Sequence, residues 1–232
     1  MINSKYKHII FDADDTLVDY ALDSDRAFRA ALVAVGHEND EELLRAWIDF
    51  DFGNWDKIGL SDVHLPEVQN SFHELYRRHV RDIFGHGVKI GAYAEYPDEA
   101  ERIFYEEFAM PGIELGNARA VVAALKEKYR VYAATNGLTS LQHGRLQAFP
   151  LDGLFVSEEL GTIKPSREFF MRMLEALGAK PDECLMVGDS LSSDIAGARA
   201  AGIDCIWLNR HGRPCPDDVQ EIKSLDELLE IL

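Results

Sequence analysis

The sequence predicts an α/β fold in which a parallel β-sheet is interrupted by an inserted bundle of helices. Residues 8–11 form a short apolar run, and residues 21–110 carry apolar side chains at three- and four-residue spacing. From residue 111 onward, short apolar runs alternate with helical patterns of about ten residues. Such alternation is typical of right-handed βαβ units, whose strands form a parallel sheet.

Helices are predicted throughout residues 21–110, where the sequence contains no convincing strand. Apolar stripes indicate three of them, at residues 21–35, 41–52 and 66–84. A fourth follows Pro97, which suits the first turn of a helix, and the acidic Asp98 and Glu99 favour its amino-terminal end. Four helices joined by short breaks indicate a compact bundle.

Strands and helices are predicted in turn after residue 110. The expected strands are residues 131–134, 154–156, 185–187 and 203–208. The expected helices are residues 117–128, 138–147, 167–177, 191–201 and 225–232. The first strand can pair only with strands that come after residue 110, so the helical block is an insertion. We therefore predict an α/β core at residues 1–17 and 111–232 and an inserted helical domain at residues 18–110.

Composition and charge narrow the classes of ligand. The chain has 232 residues, 47% of them hydrophobic, which suffices for one core and a small second domain. Its formal net charge of −17 disfavours nucleic-acid polymers and anionic membrane surfaces. A small phosphorylated metabolite is compatible with this charge where a divalent cation dominates locally.

The sequence shows no sign of secretion or of a membrane span. Met1 to Lys5 leads into the first strand without an apolar signal-type stretch, and no run reaches the ~18 apolar residues of a membrane helix. The three widely spaced cysteines, Cys184, Cys205 and Cys215, match neither a disulfide framework nor a zinc site. We expect a cytoplasmic protein, and the sequence leaves its oligomeric state open.

Two carboxylates, Asp12 and Asp14, follow the first predicted strand. The carboxyl ends of strands are where open α/β sheets build their sites. Side chains alternate along an extended chain, so the backbone must curl after Phe11 for both carboxylates to face one ligand. Carboxylates held close together usually need a cation, although the pair taken alone also fits a solvated acidic turn.

Three further polar segments lie where predicted strands lead into helices: Thr135-Asn136-Gly137, Lys164-Pro165, and Gly188-Asp189-Ser190 followed by Asp194. Together with the Asp12 segment, and in this order, they resemble the four motifs of the haloacid dehalogenase (HAD) superfamily. The resemblance covers the whole chain. It implies a HAD-like core with a Rossmann-like parallel sheet, and it makes residues 18–110 an inserted helical-bundle cap of the C1 type.

The resemblance implies chemical roles for these residues. Asp12 would be a nucleophile that forms an aspartyl-phosphate, and Asp14 would be a general acid and base. Thr135 and Asn136 would donate hydrogen bonds to phosphate oxygens. The ammonium of Lys164 would counter the charges of the phosphate and of Asp12.

A magnesium site and two supporting residues complete the implied set. Asp12, the backbone carbonyl of Asp14 and Asp189 would bind Mg²⁺, which prefers hard oxygen ligands. The hydroxyl of Thr16 would fix the loop that carries Asp14. Asp194 would order either the motif lysine or a water bound to the metal.

Residues 14–16 distinguish branches of the superfamily. Dehalogenases lack an acid at the position of Asp14, because a halide leaving group needs no proton, and Thr16 favours the phosphatases. Asp15 stands where the family usually has glycine, and Asp tolerates the unusual backbone angle expected there. The Asp-Ala-Asp-Asp-Thr segment is similar to that of the YjjG-like branch, 5′-nucleotidases that act on pyrimidine and non-canonical nucleoside monophosphates.

A nucleoside monophosphate is therefore the expected substrate. Neighbouring phosphatases of sugar phosphates and other small phospho-metabolites share several of these motif residues, so that substrate class is an alternative. A phospho-acceptor signalling module, such as a response-regulator receiver, is a remote alternative, because receivers lack a helical insertion of this size.

Substrate choice is expected to lie in the cap and in the loop after Asp12. Val18, Asp19 and Tyr20 begin the cap. Other cap side chains are candidates to contact the leaving group, although such residues are more often solvated or part of an apolar core: Arg26, Arg29, Arg77, Arg78, His79, Arg81, Trp47, Trp55 and Tyr76.

Overall fold

A parallel β-sheet forms the centre of the structure, a computed structural model that describes residues 5–232. The strands are β1 (His8–Phe11), β2 (Arg130–Thr135), β3 (Gly153–Val156), β4 (Cys184–Gly188), β5 (Asp204–Leu208) and β6 (Gln220–Ile222). Within the described residues these six strands lie in the order β3-β2-β1-β4-β5-β6, and all neighbours are parallel. This order is that of a Rossmann-like sheet, which confirms the predicted fold class. The order reverses between β1 and β4, where such sheets bind ligands.

Between β1 and β2, in residues that the structure describes throughout, four long helices precede the return to the sheet. They are α1 (Tyr20–Ala34), α2 (Glu41–Lys57), α3 (Pro66–Lys89) and α4 (Asp98–Phe108). Asp19 and Asp40 cap α1 and α2 by accepting hydrogen bonds from Leu22 N and Leu43 N at 3.0 and 2.9 Å. Proline opens α3, where its missing N–H has no helical partner to lose.

Aromatic side chains form the centre of the cap. The rings of Phe28 and Phe104 have centroids 4.7 Å apart, and Trp47 meets Phe84 edge-on at 5.1 Å. Trp47 has no exposed surface, so it belongs to this apolar core and not to a substrate surface. Burying each side chain of this kind stabilises the fold by roughly 1.5–3 kcal/mol, which gives the cap a core of its own.

The remaining helices cover both faces of the sheet. They are α5 (Ala118–Lys126), α6 (Thr139–Leu146), α7 (Ser157–Leu160), α8 (Arg167–Leu177), α9 (Ala196–Ala200) and α10 (Leu228–Ile231). Ile9 and Phe11 pack toward α5 and α10, whereas Ile10 packs toward α8 and α9. Because both faces are covered, β1 is apolar along its buried length and does not alternate with polar residues.

Several details differ from the predictions made from sequence, among them one strand and two helices. Strand β6 is missed by the sequence pattern, because this short edge strand buries one side chain, Ile222. The helix expected at residues 191–201 begins as a π-helical turn, Leu191–Ile195, in which Asp194 is buried. Helix α2 continues past residue 52 to Lys57, and this extension carries Asn54 and Trp55.

Two further predictions concern targeting and the cysteines. The lack of a signal-type stretch was inferred from the first five residues, and residues 1–4 lie outside the part of the chain that the structure describes. Across residues 5–232, no helix is both long and apolar enough to cross a membrane. Cys184, Cys205 and Cys215 all have free thiols.

Candidate active site

The carboxyl ends of three central strands bring the predicted motifs to one edge of the sheet. Asp12 follows β1, Asn136 follows β2 and Asp189 follows β4. Lys164 arrives on the loop before α8 and contacts Asp12. Residues from four separate parts of the chain therefore meet around Asp12.

The backbone curls tightly after β1, as the sequence predicts. Asp12 N donates to Val187 O at 2.8 Å, and Leu17 N donates back to Ala13 O at 2.8 Å. Asp15 lies in the curl with a φ of 58°, in the left-handed region that Asp tolerates better than most residues. The unusual backbone angle expected at Asp15 is thus confirmed.

Lys164 is buried, with 2% of its surface exposed, and its ammonium is fully hydrogen-bonded. Its Nζ donates to Asp12 Oδ1 at 2.5 Å and to Asp194 Oδ1 at 2.7 Å. A third hydrogen bond goes to Ala134 O at 2.8 Å. Three donors meet three acceptors, which fixes the ammonium beside Asp12. Of the two roles expected for Asp194, the geometry shows contact with Lys164.

Asn136 holds the backbone of Lys164 in place. Asn136 Oδ1 accepts from Lys164 N at 2.8 Å, and Asn136 Nδ2 donates to Lys164 O at 2.9 Å. These two hydrogen bonds fix the side-chain amide of Asn136, and the expected contact of Asn136 with phosphate stays a prediction. Thr135 is buried, and its hydroxyl makes a long contact of 3.4 Å to Asn136 O, which a phosphate oxygen can replace.

Three carboxylates lie close enough to share one metal ion. One oxygen from each of Asp12, Asp189 and Asp194 lies within 4.8 Å of the other two. Carboxylate oxygens are the ligand type that Mg²⁺ prefers, so these residues fit the expected ion. Both oxygens of Asp194 already accept hydrogen bonds, Oδ1 from Lys164 Nζ at 2.7 Å and Oδ2 from Ser190 N at 3.0 Å, whereas Asp12 accepts through Oδ1. Asp12 and Asp189 therefore fit a metal better than Asp194 does. The backbone ligand expected from Asp14 stays a prediction.

Burial and crowding shift the pKa values of these groups. Burial raises the pKa of Asp12 well above its usual range, and Asp194 and Asp189 add to this against the opposing charge of Lys164. Burial, with the charge of Asp194, raises the pKa of Asp189 to about 7. Burial acts to lower the pKa of Lys164, but the adjacent carboxylates outweigh it and raise that pKa. A divalent cation at this point favours the ionised carboxylates.

Asp14 is held by two residues of α6. Arg145 donates to its Oδ1, and Gln142 Nε2 donates to its Oδ2 at 3.1 Å. Arg145 has no exposed surface and also donates through Nη2 to Asp23 Oδ2 at 2.8 Å. Since Asp23 belongs to α1 of the cap, one buried guanidinium links the loop that carries Asp14 to the cap.

Reasoning from the sequence misses Arg145 and Asp23. A signal is present, because Leu138, Leu141 and Arg145 follow the three- and four-residue spacing of a buried helix stripe. A charged residue on such a stripe indicates a buried ion pair, since an unpaired buried charge is strongly unfavourable. Its partner lies more than a hundred residues away and is not indicated by spacing.

Thr16 does not act as expected through its hydroxyl. The Oγ1 atom is buried and has no hydrogen-bond partner among the described residues. The loop is closed instead by backbone hydrogen bonds, including Thr16 N to Ala13 O at 3.3 Å. The expectation that this hydroxyl fixes the loop is therefore corrected.

A cavity of about 490 Å³ opens between the cap and the core, next to Asp14. Its cap side is largely aromatic: Tyr20, Phe52, Trp55, Phe72, Tyr76 and Phe108. Its core side is formed by the loops after β2 and β4, including Gly137 and Ser190. The cavity therefore places Asp14 next to an aromatic surface that suits a planar ring.

The cap arginines do not belong to this cavity. In the described chain, none of the five that the sequence offered as candidates lines it: Arg26, Arg29, Arg77, Arg78 and Arg81. Each pairs with a carboxylate instead, as Arg29 does with Glu41 at 2.6 Å. These five side chains follow the alternative, in which they serve as structural or surface cations.

Comparison with known proteins decides the family. The family model of haloacid dehalogenase-like hydrolases matches residues 6–202, a span that contains all four motifs. The chain belongs to this family. It is a HAD-like hydrolase, as the order of the motifs predicts.

Two relatives are nucleotidases. The chain is 32% identical over 238 residues to pyrimidine 5′-nucleotidase PynA of Streptococcus pneumoniae, a match that covers 98% of this chain and 95% of PynA. It is 34% identical over 145 residues to pyrimidine 5′-nucleotidase YjjG of Escherichia coli, covering 59% of this chain and 64% of YjjG. The expected resemblance to the YjjG-like branch of HAD hydrolases is confirmed.

The architecture is also that of a solved HAD hydrolase. The crystal structure of HAD-hydrolase YfnB from Bacillus subtilis, bound to magnesium, matches with a TM-score of 0.76 and 24% identity over 98% of each chain. At this identity the likeness concerns the fold, and it agrees with the Rossmann-like core and helical cap.

Proposed function

We propose that this hydrolase is a Mg²⁺-dependent phosphomonoester hydrolase that forms an aspartyl-phosphate on Asp12 and acts on nucleoside 5′-monophosphates. The observation that carries the proposal is the contact of Lys164 Nζ with Asp12 Oδ1 at 2.5 Å, beside Asp189. A carboxylate with a fixed ammonium and oxygens free for a cation suits attack on a dianionic ester. Similarity to PynA and YjjG supports the nucleotide as substrate.

In the first step, an oxygen of Asp12 attacks phosphorus, forming an O–P bond while the bond to the leaving oxygen breaks. The electron pair stays on the leaving oxygen, which takes a proton from Asp14. Arg145 and Gln142 each donate to one oxygen of Asp14. Each oxygen keeps a second lone-pair site, which can carry the proton that is transferred.

In the second step, water attacks phosphorus and Asp14 accepts its proton. The bond between phosphorus and Asp12 breaks, inorganic phosphate leaves, and both carboxyl groups return to their starting states. Lys164 and the hydroxyl of Thr135 stabilise negative charge on the phosphoryl oxygens in both steps.

The charge balance supports a role for Mg²⁺. Three carboxylates, those of Asp12, Asp189 and Asp194, surround the single ammonium of Lys164. A phosphate dianion would be repelled by this set. Asp12, Asp189 and the carbonyl of Asp14 would hold Mg²⁺, which supplies positive charge beside the phosphate oxygens.

Phosphate release from matched panels of nucleoside monophosphates and sugar phosphates, with Mg²⁺ present, tests this function. We expect nucleotides to be hydrolysed with the higher kcat/KM, and Asp12→Asn to abolish hydrolysis of every ester while the protein stays folded. Asp49→Asn, an exposed change on α2, serves as the control for loss of one carboxylate.

Other outcomes point to the alternatives. Higher kcat/KM for sugar phosphates contradicts the proposed substrate and keeps the proposed chemistry. A stable phospho-protein without steady phosphate release contradicts hydrolysis and favours a phospho-acceptor module. Undiminished activity of Asp12→Asn contradicts the assigned nucleophile.

A further inference from the structure

A chain of buried hydrogen bonds in the cap orients Asp51. Its Oδ1 lies 2.5 Å from His79 Nε2, and His79 Nδ1 lies 3.0 Å from Asn54 Nδ2. The exposed fractions of Asp51, Asn54 and His79 are 7%, 6% and 1%. Because a buried carboxylate is stable only with hydrogen-bond partners, these hydrogen bonds fix the orientation of the Asp51 side chain.

The direction of these hydrogen bonds follows from their chemistry. The amide nitrogen of Asn54 can only donate, so His79 Nδ1 accepts and carries no proton. The proton of His79 is then on Nε2 and points to Asp51 Oδ1. This hydrogen bond fixes Oδ1 of Asp51 toward His79.

The second carboxylate oxygen of Asp51 has no such partner. Asp51 lines the aromatic cavity together with Asp14, and its Oδ2 accepts no hydrogen bond from any described residue. Trp55, which lines the cavity, packs edge-on against His79 of the same hydrogen-bond network, with ring centroids 5.1 Å apart. Oδ2 of Asp51 is therefore an oriented acceptor in the wall of a cavity whose aromatic side chains suit a planar ring.

Two tyrosines complement this acceptor. Tyr20 and Tyr76 line the cavity beside Asp51. Burial, and then the charge of Asp51, raise the pKa of Tyr20 well above its usual range, and burial likewise raises the pKa of Tyr76. Both hydroxyls are therefore neutral and available as donors. The cavity thus pairs one carboxylate acceptor with hydroxyl donors.

We propose that Asp51 selects the leaving group by accepting a hydrogen bond from an N–H or O–H donor on the part of the substrate that fills the aromatic cavity. The inference rests on the proposed function, because the cavity receives a leaving group only if phosphate binds at Asp12. Within a nucleotide, the aromatic walls favour a nucleobase N–H as the donor, since a planar ring stacks on them. In uracil and thymine, carbonyl groups flank N3–H, and the hydroxyls of Tyr20 and Tyr76 can donate to such carbonyl groups.

Charge argues against an anionic leaving group in this cavity. Asp14, Asp51 and Asp56 line it, and in the part of the chain that the structure describes it has no lysine or arginine in its wall. A second phosphate would meet three carboxylates without a cation in that wall. The cavity therefore suits a neutral ring or sugar and disfavours di- and triphosphates.

The substitution Asp51→Asn reverses the polarity of this position. The Nε2 proton of His79 still needs an acceptor, so the amide oxygen takes the place of Oδ1 and the amide nitrogen faces the cavity. A donor then replaces an acceptor at nearly constant shape. Asp49→Asn, an exposed change on the same helix outside the cavity, is the matched control.

The experiment compares kcat/KM for uridine 5′-monophosphate, its N3-methyl derivative, its 2′- and 3′-deoxy forms, and p-nitrophenyl phosphate. In the unmodified enzyme, we expect N3-methylation to lower kcat/KM by on the order of 10- to 100-fold, because it removes a hydrogen bond to a charged acceptor. In Asp51→Asn this discrimination should disappear, while hydrolysis of p-nitrophenyl phosphate, whose leaving group has no such donor, is retained. Asp49→Asn should behave as the unmodified enzyme.

Each result has a defined meaning. Discrimination against the deoxy forms in place of the N3-methyl form, lost in Asp51→Asn, supports the inference and assigns the donor to the sugar. Equal loss on all substrates in a folded Asp51→Asn, or no discrimination in the unmodified enzyme, overturns it. Failure of the unmodified enzyme to hydrolyse nucleotides while it cleaves p-nitrophenyl phosphate contradicts the proposed substrate, and this inference with it. If Asp51→Asn does not fold, the kcat/KM values of the unmodified enzyme for the analogue series still test the proposal, because equal values would overturn it.

Discussion

The buried guanidinium of Arg145 donates a hydrogen bond to the carboxylate of Asp14. The same guanidinium contacts Asp23 on α1, and Asp23 Oδ1 accepts from Ile113 N at 2.9 Å on the segment that returns from the cap. The carbonyl of Arg145 accepts from Gly112 N at 2.9 Å. A single core residue therefore ties the proposed general acid to both connections between core and cap.

Arg145→Lys should lower kcat on the order of 10- to 100-fold with little change in KM, because lysine cannot bridge both carboxylates and Asp14 loses its position. Steady-state kinetics on the best nucleotide, with the free energy of unfolding measured in parallel, checks this. Arg119→Lys is the control, since Arg119 pairs on the surface with Glu114 at 2.6 Å. An unchanged kcat in folded Arg145→Lys would show that Arg145 does not position Asp14.

Much of the fold follows from local sequence patterns. Short apolar strands and amphipathic helices are local, and capping residues mark their ends. Ser224 and Glu227 have the spacing of a capping box, and Glu227 Oε1 accepts from Ser224 N at 3.0 Å. Strand β6 is not predicted from the sequence, because it is a strand through its pairing with β5 and not through its own apolar pattern. The ends of α2 and α3 shift because their final turns carry few apolar residues.

The site is predicted to the extent that its residues form ordered motifs. Asp12, Lys164 and Asp189 are identified because each follows or precedes a recognisable strand or helix boundary. Arg145 and Asp51 are missed, because each matters through partners far away in the chain, and no local spacing reveals a long-range buried contact. The site residues of the cap are therefore harder to identify from sequence than those of the core, and finding them requires the three-dimensional structure.

Asp189→Asn should weaken Mg²⁺ binding at least tenfold and leave the metal-free protein no less stable. The first effect follows from loss of a charged oxygen ligand. The second follows because the change removes one of three crowded carboxylates. Calorimetric titration with Mg²⁺ and thermal unfolding without metal measure the two quantities.

Asp182→Asn, an exposed change just before β4, is the control for Asp189→Asn. Removal of Mg²⁺ with a chelator should silence the unmodified enzyme, and added Mg²⁺ should restore it. Equal Mg²⁺ affinities in Asp189→Asn and the control would exclude Asp189 as a ligand, and activity that survives the chelator would contradict the metal requirement.

A histidine at the contact between cap and core should make stability depend on pH. His73 Nε2 lies 2.8 Å from Ser157 Oγ, and burial lowers the pKa of His73, with Arg77 adding to this against Glu158. Below the unfolded pKa of about 6.5, the unfolded chain takes up a proton before the folded one, so stability falls as pH falls. This contribution is complete above that pH and is lost below it.

Free energies of unfolding from about pH 7.5 to about pH 5.5 test the role of His73. We expect the stability of the unmodified protein to fall more steeply than that of His73→Gln, which keeps a hydrogen-bonding group toward Ser157. His64→Gln, at an exposed site before α3, should keep the steep slope. Parallel slopes for the unmodified protein and His73→Gln would exclude this contact as a source of the pH dependence.

The packing of α6 against the end of α4 leaves no room for a side chain at Gly144. A Cβ at this position would lie 1.9 Å from Ala109 O, a backbone atom that cannot move without shifting the junction of cap and core. Gly144→Ala should therefore lower the free energy of unfolding by about 1–3 kcal/mol. It should also lower kcat, because α6 carries Arg145.

Gly85→Ala in α3 meets nothing within 4 Å and should instead stabilise the protein by about 0.5–1 kcal/mol with unchanged kcat. Denaturant unfolding and steady-state kinetics on both variants separate the loss of packing from the helix propensity of alanine, and equal stabilisation by the two changes would contradict the close contact at Ala109.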